Sequence, residues 1–250
     1  MAGRVYAFAN QKGGVGKTTT AVNLAACLAE AGERSLVVDL DPQANATSGL
    51  GMRANGTSSY DLLDGAPLAE LAKPTAFPNL FLVPSKPELA GAAVELSQRA
   101  DGERFLADAL AGVEGFDFVL LDCPPSLGPL TVNALAAADR VIVPVQAEYY
   151  ALEGLAQLMQ SINLIKVRLN PRLAVAGVLI TMSDGRTRLA AEVEAEVRKH
   201  FGDLVFETVV PRSVRVAEAP SHGLPVTHYD RRSRGAEAYW KVAMELVERS

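Results

Sequence analysis

Residues 11–20 read QKGGVGKTTT, and no other run in the chain restricts the possible folds so far. It follows an apolar stretch that ends near Asn10 and opens a helical pattern that begins at Lys17. Glycines at 13, 14 and 16 let the backbone wrap tightly enough for successive N–H groups to point at one anion, at the positive end of the next helix. Val15 and Thr19 belong to the same cradle. Lys17 offers a cation to the β- and γ-phosphates of a nucleotide, and the Thr18 hydroxyl offers a ligand to Mg²⁺. The usual phosphate-loop pattern has glycine six residues before that lysine, whereas here the place is taken by Gln11 and a second lysine, Lys12, begins the loop. Two lysines in one loop repel unless an anion lies between them.

The rest of the chain alternates apolar runs with longer helical patterns. Strands are expected at 4–10, 35–40, 80–84, 116–122, 140–145, 174–182 and 207–211. Helices are expected near 17–31, 88–111, 127–138, 151–169, 187–201 and 233–249. Runs such as VVDL, FVLLD and VIVPV are almost continuously apolar, as strands covered on both faces should be. The expected architecture is α/β, a doubly wound and mostly parallel sheet with helices on both faces, making one domain of residues 1–250. The stretch 49–78, with weak periodicity, reads as an excursion from that domain.

Three carboxylates close apolar strands. In VVDLDPQ, Asp39 and Asp41 leave the end of a buried strand, where α/β sheets place ligands, and alternation puts both on the side of the loop. In FVLLDCPPS a charge at Asp122 closes four apolar residues and needs a partner. Cys27 and Cys123 are too few for a disulfide framework, and Cys123 reads as a small buried packer rather than a nucleophile. His222, beside Ser and Gly, reads as a turn residue.

With 24 Lys+Arg against 29 Asp+Glu the net charge is −5, which excludes a wholesale polycation, so any anion site must be local. Basic residues gather in the C-terminal third as Arg186/Arg188, Arg212/Arg215 and Arg231/Arg232/Arg234. No apolar run approaches the ~20 residues of a membrane span, and the N-terminus lacks the basic-then-apolar pattern of a secretory signal. A cytoplasmic protein is expected.

Taken together, ANQKGGVGKTTTAVNLAACLA at 9–29, VVDLDPQANATSGLG at 37–51, VLLDCPPSLGPLTVNAL at 119–135, VPRSVRVAEAPSHGLPV at 210–226 and RRSRGAEAY at 231–239 resemble the ParA/Soj partition ATPases, of the deviant Walker A class of P-loop ATPases. The resemblance spans nearly the whole chain. It implies ATP and Mg²⁺ as cofactors, with Asp41 positioning or polarising the attacking water, Asp122 bearing on Mg²⁺ through a water and Asp39 supporting the magnesium shell. It implies that Lys12 reaches across a homodimer to the partner's ATP and stabilises transition-state charge in trans. Pro211 and its neighbours, Ser213 among them, would border the adenine, though the family usually has Asn in the place of Ser213. Arg186 and Arg215 would lie on the DNA-facing side of the dimer, the alternative for each being a surface ion pair, with Glu218 the candidate for Arg215. The ATP-bound dimer is expected to bind DNA without sequence preference, on the nucleoid, and a DNA-bound adaptor of the ParB kind to stimulate hydrolysis. The first strand begins so early that the helix-turn-helix domain of longer relatives has no room before it, so operator-specific self-repression is not expected.

Three rivals make different demands. A membrane-cycling regulator resembling MinD needs a basic amphipathic tail, whereas the last helix here carries Glu237, Glu245 and Glu248 on its outer side. An electron donor resembling nitrogenase reductase needs two cluster cysteines at an interface, and neither Cys27, inside the first helix, nor Cys123, beside the carboxylate, is well placed. A scaffold that uses ATP only to dimerise would bind DNA without turnover.

Overall fold

The computed structural model describes residues 3–99, 101–111, 113–148 and 151–249. Its sheet has seven strands: β1 (Arg4–Phe8), β2 (Ser35–Asp39), β3 (Lys73–Pro74), β4 (Leu80–Val83), β5 (Phe118–Asp122), β6 (Arg140–Gln146) and β7 (Ala174–Thr181). They lie in the order β3-β4-β2-β5-β1-β6-β7, all parallel except the short edge strand β3. Because β5 separates β1 from β2, the ends of β1, β2 and β5 that lead into the loop and the carboxylates open at one crevice, where doubly wound sheets bind ligands.

Period-two alternation divides the core between two faces. Val5, Ala7, Leu36, Val38, Val119 and Leu121 point into one cluster with the helices α5 (Leu89–Gln98), α7 (Pro129–Ala137), α8 (Ala151–Arg168) and α9 (Arg188–Phe201). Tyr6, Phe8, Val37 and Leu120 point into the other, against α1 (Lys17–Glu30) and α12 (Arg234–Glu248). Tyr6 and Phe8 are fully buried, and each contributes ~1.5–3 kcal/mol by that burial. Most of α1 is buried, and the alanines at 21, 25, 26 and 29 let it lie close to the sheet and to α12. The shorter helices are α2 (Asn45–Gly49), α3 (Ser59–Leu63), α4 (Leu68–Leu71), α6 (Phe105–Ala109), α10 (Val214–Glu218) and α11 (Val226–Tyr229). Of these α3, α4 and the strand β3 make up the excursion expected at 49–78.

Two expectations are corrected. Residues 207–211 do not form a strand; they meet the end of β7 through the Ser183–Pro211 bridge and two backbone hydrogen bonds, Val210 N donating to Ile180 O at 2.9 Å and Ser183 N to Val210 O at 3.1 Å. The backbone N–H groups of Glu207 and Thr208 donate to the Glu245 carboxylate instead, at 2.7 and 3.2 Å, and Pro211 has no N–H to give. The seventh strand is β3, within the excursion. The helix expected at 88–111 is broken into α5 and α6. Gly102 packs so close to the end of α5 that a Cβ there would lie 1.8 Å from Leu96 O. Asn133 of α7 stabilises the break: its Nδ2 donates to Gly102 O at 2.7 Å and its Oδ1 accepts from Leu106 N at 3.2 Å.

Candidate functional site

The loop after β1 takes the form that its glycines dictate. Gly14 and Gly16 have φ of 73° and 87°, left-handed values that a side chain would strain, and Gly16 caps the N-terminus of α1. Distant residues hold the loop from behind. Thr181 Oγ1, at the end of β7, donates to Val15 O at 2.8 Å, and Asn10 Nδ2 donates to Pro144 O at 2.7 Å. In front of the loop is a cavity of about 410 Å³, lined by Gly13, Gly14, Gly16, Lys17, Thr18 and Thr19, by Asp41, Gln43, Asn45, Ser48 and Gly49, and by Pro125. Val22, Asn23, Met182, Pro220 and Leu224 complete its wall. Met182 has φ of 50° and Ala44, between Gln43 and Asn45, has φ of 54°; strained backbone of this kind concentrates at binding sites.

At the floor of the cavity charge is concentrated. Lys17 is buried, its ammonium donating to Lys12 O at 3.2 Å. Burial pushes its pKa down, and the carboxylates of Asp122 and Asp41 push it back up. Asp122 is fully buried and, among the described residues, neither of its oxygens has a hydrogen-bond partner. Its pKa is raised well above the carboxylate range, first by burial and then by the charge of Asp39, its register partner across β2 and β5, while the Thr18 hydroxyl acts in the opposite sense. A buried carboxylate with two unpartnered oxygens beside a threonine hydroxyl fits Mg²⁺, a hard cation that binds through one or two protein oxygens, waters and substrate phosphate.

Asp39 and Asp41 part company. Asp41 lines the cavity; its Oδ1 accepts from Gln43 N at 2.9 Å, and among the described residues Oδ2 has no donor. Asp39 does not line it. Both of its oxygens are engaged, Oδ1 by Asp41 N at 3.1 Å and Oδ2 by the amide and hydroxyl of Thr47 at 2.9 and 2.7 Å. Burial pushes its pKa up to about 6 against those hydrogen bonds. The expectation that both carboxylates face the loop is corrected: the chain turns after β2, so alternation ends there, and Asp39 shapes the Asp41 turn rather than the cavity.

Other expected residues lie around this centre. Lys12 is half exposed at the rim, and its ammonium pairs within the same chain with Glu148, a partner that the sequence reading missed. Pro211 lines not the loop cavity but a neighbouring one of about 660 Å³, with Arg234 and Lys241. Its bridge to Ser183 puts it one residue from Met182 on the cavity wall. Ser213 precedes α10 and lies against the start of α12, where a Cβ on Gly235 would meet its hydroxyl at 3.3 Å. The residues found on that wall are instead Met182, Pro220 and Leu224; Pro220 and Leu224 fall inside the block 210–226, but nothing in their residue type marks them.

The two arginines expected to face DNA lie on adjacent segments, joined by the Ser183–Pro211 bridge and by Arg212 N donating to Ser183 O at 3.0 Å. Both take up the ion-pair alternative here. Arg186 makes a bidentate pair with Asp184, both bonds 2.8 Å, and Arg215 pairs with Glu218 at 3.1 Å and Asp230 at 3.3 Å. The guanidinium of Arg186 depresses the Asp184 pKa to about 2. As exposed pairs these contribute little to stability, and a phosphate of similar charge can displace the carboxylates.

The loop geometry also separates its glycines. Gly13, unlike Gly14 and Gly16, is not left-handed, and a Cβ on it would stand 3.8 Å from Pro125 Cβ, an ordinary contact. Gly13→Val is therefore expected to fold and to bind ATP, while its branched side chain obstructs a second subunit closing over the phosphates. Light scattering with ATP should find monomers; dimers would contradict closure over this face.

A family model described as an AAA domain matches residues 3–175. The chain is 52% identical over 249 residues to the sporulation initiation inhibitor protein Soj of Bacillus subtilis, covering 98% of both chains. It is 56% identical over 246 residues to the chromosome-partitioning ATPase Soj of Thermus thermophilus, covering 98% of this chain and 96% of that one. Among solved structures, cobyrinic acid a,c-diamide synthase from Mycobacterium smegmatis with bound ATP analog and magnesium superposes with a TM-score of 0.85 at 38% identity, covering 98% of this chain and 95% of that one.

Proposed function

The chain belongs to the Soj/ParA family of chromosome-partitioning ATPases, and on that premise we propose that it is an ATP-driven partition switch that hydrolyses ATP to ADP and phosphate in the loop cavity. The observation that carries this reading is the fully buried carboxylate of Asp122, without a hydrogen-bond partner among the described residues and within electrostatic reach of Lys17 and Thr18, which line the glycine-walled cavity. Residues 1–250 act as one ATPase unit.

In this reading the backbone N–H groups of Gly13–Thr19 and the Lys17 ammonium hold the β- and γ-phosphates. Thr18 and Asp122, the latter through a water, would hold Mg²⁺, which would supply positive charge against the phosphates. Asp41, which lines the cavity, orients the attacking water and accepts its proton. Asp39 supports that arrangement from behind. Lys12 exchanges Glu148 for the partner's ATP as two subunits close, stabilising transition-state charge in trans as an arginine finger does. Met182, Pro220 and Leu224, on the wall of the cavity, border the base in this reading.

The ATP-bound homodimer holds DNA non-specifically through Arg186 and Arg215 of both chains, and a ParB-type adaptor bound to DNA stimulates hydrolysis and releases it. The protein then cycles between nucleoid and cytoplasm without membrane contact; among the described residues no helix is long and apolar enough to cross a membrane. The chromosome as cargo follows the names of the relatives. ATP turnover measured alone, with DNA, and with DNA plus adaptor tests the assignment: no turnover under any condition would leave an ATP-gated scaffold.

DNA binding has its own signature. Two arginines from each of two chains give about four phosphate contacts, for which a log–log salt slope near about −3.6 is expected. Raising salt from about 50 to 200 mM should then weaken binding on the order of 100-fold. With ADP each half offers about two contacts and little affinity. Replacing Arg186 and Arg215 together by Ala should flatten the slope equally on unrelated sequences, since phosphates carry no code. Fluorescence anisotropy across salt measures this, and an unchanged slope would move the DNA surface to Arg231, Arg232 and Arg234.

A further inference from the structure

We propose that Ser85 and Thr47 are positioning residues for ATP hydrolysis, which clamp the main chain on both sides of Asp41 and so set the direction of its carboxylate. The inference rests on the reading of Asp41 as the group that orients the attacking water. Ser85 follows β4 and Thr47 lies in α2, and both are buried. On one side of the Asp41 Cα, its own N–H donates to Asp39 Oδ1 at 3.1 Å. On the other, its carbonyl accepts from Ser85 Oγ at 2.7 Å and from Ala44 N at 2.9 Å.

Thr47 joins the two clamps. Its hydroxyl donates to Asp39 Oδ2 at 2.7 Å and accepts from Ser85 N at 2.9 Å. The result is a closed ring running from Asp41 N–H through Asp39, Thr47 and Ser85 back to Asp41 O, assembled from β2, α2 and the end of β4. Fixing the peptide groups before and after one Cα leaves its side chain only the rotation about χ1 and χ2. The Gln43 N–H, donating to Oδ1 at 2.9 Å, removes part of that freedom, and the residue so held lines the cavity. None of the ring's hydroxyls lines the cavity, so they act on the water through Asp41 and not by touching nucleotide. Reactions that depend on a held water are sensitive to such placement, because a 1 Å shift of a reacting group lowers rate by on the order of 100-fold.

Thr47→Val keeps the shape and removes the hydroxyl, Thr47→Ser keeps the hydroxyl, and Ser85→Ala removes the bond to Asp41 O. In the full chain, with folding checked by circular dichroism and nucleotide affinity by a fluorescent ATP analogue, Thr47→Val and Ser85→Ala should lower kcat by about 10- to 100-fold and shift affinity by no more than about 2-fold. Thr47→Ser should restore the parent kcat, and the double variant should fall by less than the product of the two, since each breaks the same ring. A pair of hydroxyls serving stability alone would lower Tm without separating kcat from affinity. Asp41→Ala run beside them divides the two claims. If it is inactive while folded Thr47→Val and Ser85→Ala turn over at the parent rate, the clamp is overturned and the role of Asp41 stands. If Asp41→Ala itself turns over normally, the reading beneath the clamp is wrong. Should Thr47→Val not fold, Ser85→Ala decides.

Discussion

Lys17→Ala is expected to lower ATP affinity by at least ~100-fold, equivalent to ~2.7 kcal/mol. Lys17 is the one basic side chain among the described residues that line the loop cavity. Lys12 in the same chain cannot replace it, because its ammonium lies at the half-exposed rim, paired with Glu148, whereas Lys17 is buried against the carboxylates. A desolvated ammonium meeting a phosphate makes a charge-assisted contact of about twice the ordinary hydrogen-bond strength. The same substitution leaves Asp41 and Asp122 without the cation that balances them, so the empty protein should also become less stable. Isothermal titration with ATP and Mg²⁺ measures the first effect. Parent affinity in this variant would remove the phosphate assignment and with it the proposed activity.

Asp41→Ala should leave binding as it is and act on the chemistry. The groups that hold triphosphate, the 13–19 backbone and Lys17, are untouched, so ATP and Mg²⁺ should bind as in the parent. Loss of the carboxylate that holds and deprotonates the water should slow hydrolysis by on the order of 100-fold or more. Because the step that separates two subunits is then blocked, ATP-bound dimers should accumulate, visible by light scattering, and should stay on DNA. Phosphate release at the parent rate would show that another group activates the water.

Much of this site was legible because its chemistry is local in sequence. A glycine pattern followed by Lys-Thr dictates a left-handed turn, a helix start and a cation within a few residues, and the structure has Gly14 and Gly16 in that turn. Apolar runs with alternating sides foretold six of the seven strands and the two faces of the core. The failures have identifiable causes. Residues 207–211 have strand composition, yet the Glu245 side chain from α12 takes the N–H groups of Glu207 and Thr208, so only Val210 N donates to β7. The 88–111 pattern is helical by periodicity, yet Asn133 from α7 stabilises a break at Gly102. Asp39 and Asp41 look equivalent by alternation, but alternation holds only while the strand continues.

By itself the sequence determined the α/β sheet, the phosphate loop, the need of Asp122 for a partner and the family to which the chain belongs. These depend on backbone conformational preference, on burial patterns and on residues adjacent in the chain, all of which composition and spacing record. Tertiary structure alone decided which groups meet across long separations. Thr181 braces Val15 O, Val226 N donates to Asn23 Oδ1 at 2.7 Å, and Glu148 pairs with Lys12. Ser85, just past the end of β4, closes the ring around Asp41. A hydrogen bond is satisfied within about 3 Å whatever the distance along the chain, so its partner is chosen by the packing of the sheet and not by spacing in sequence.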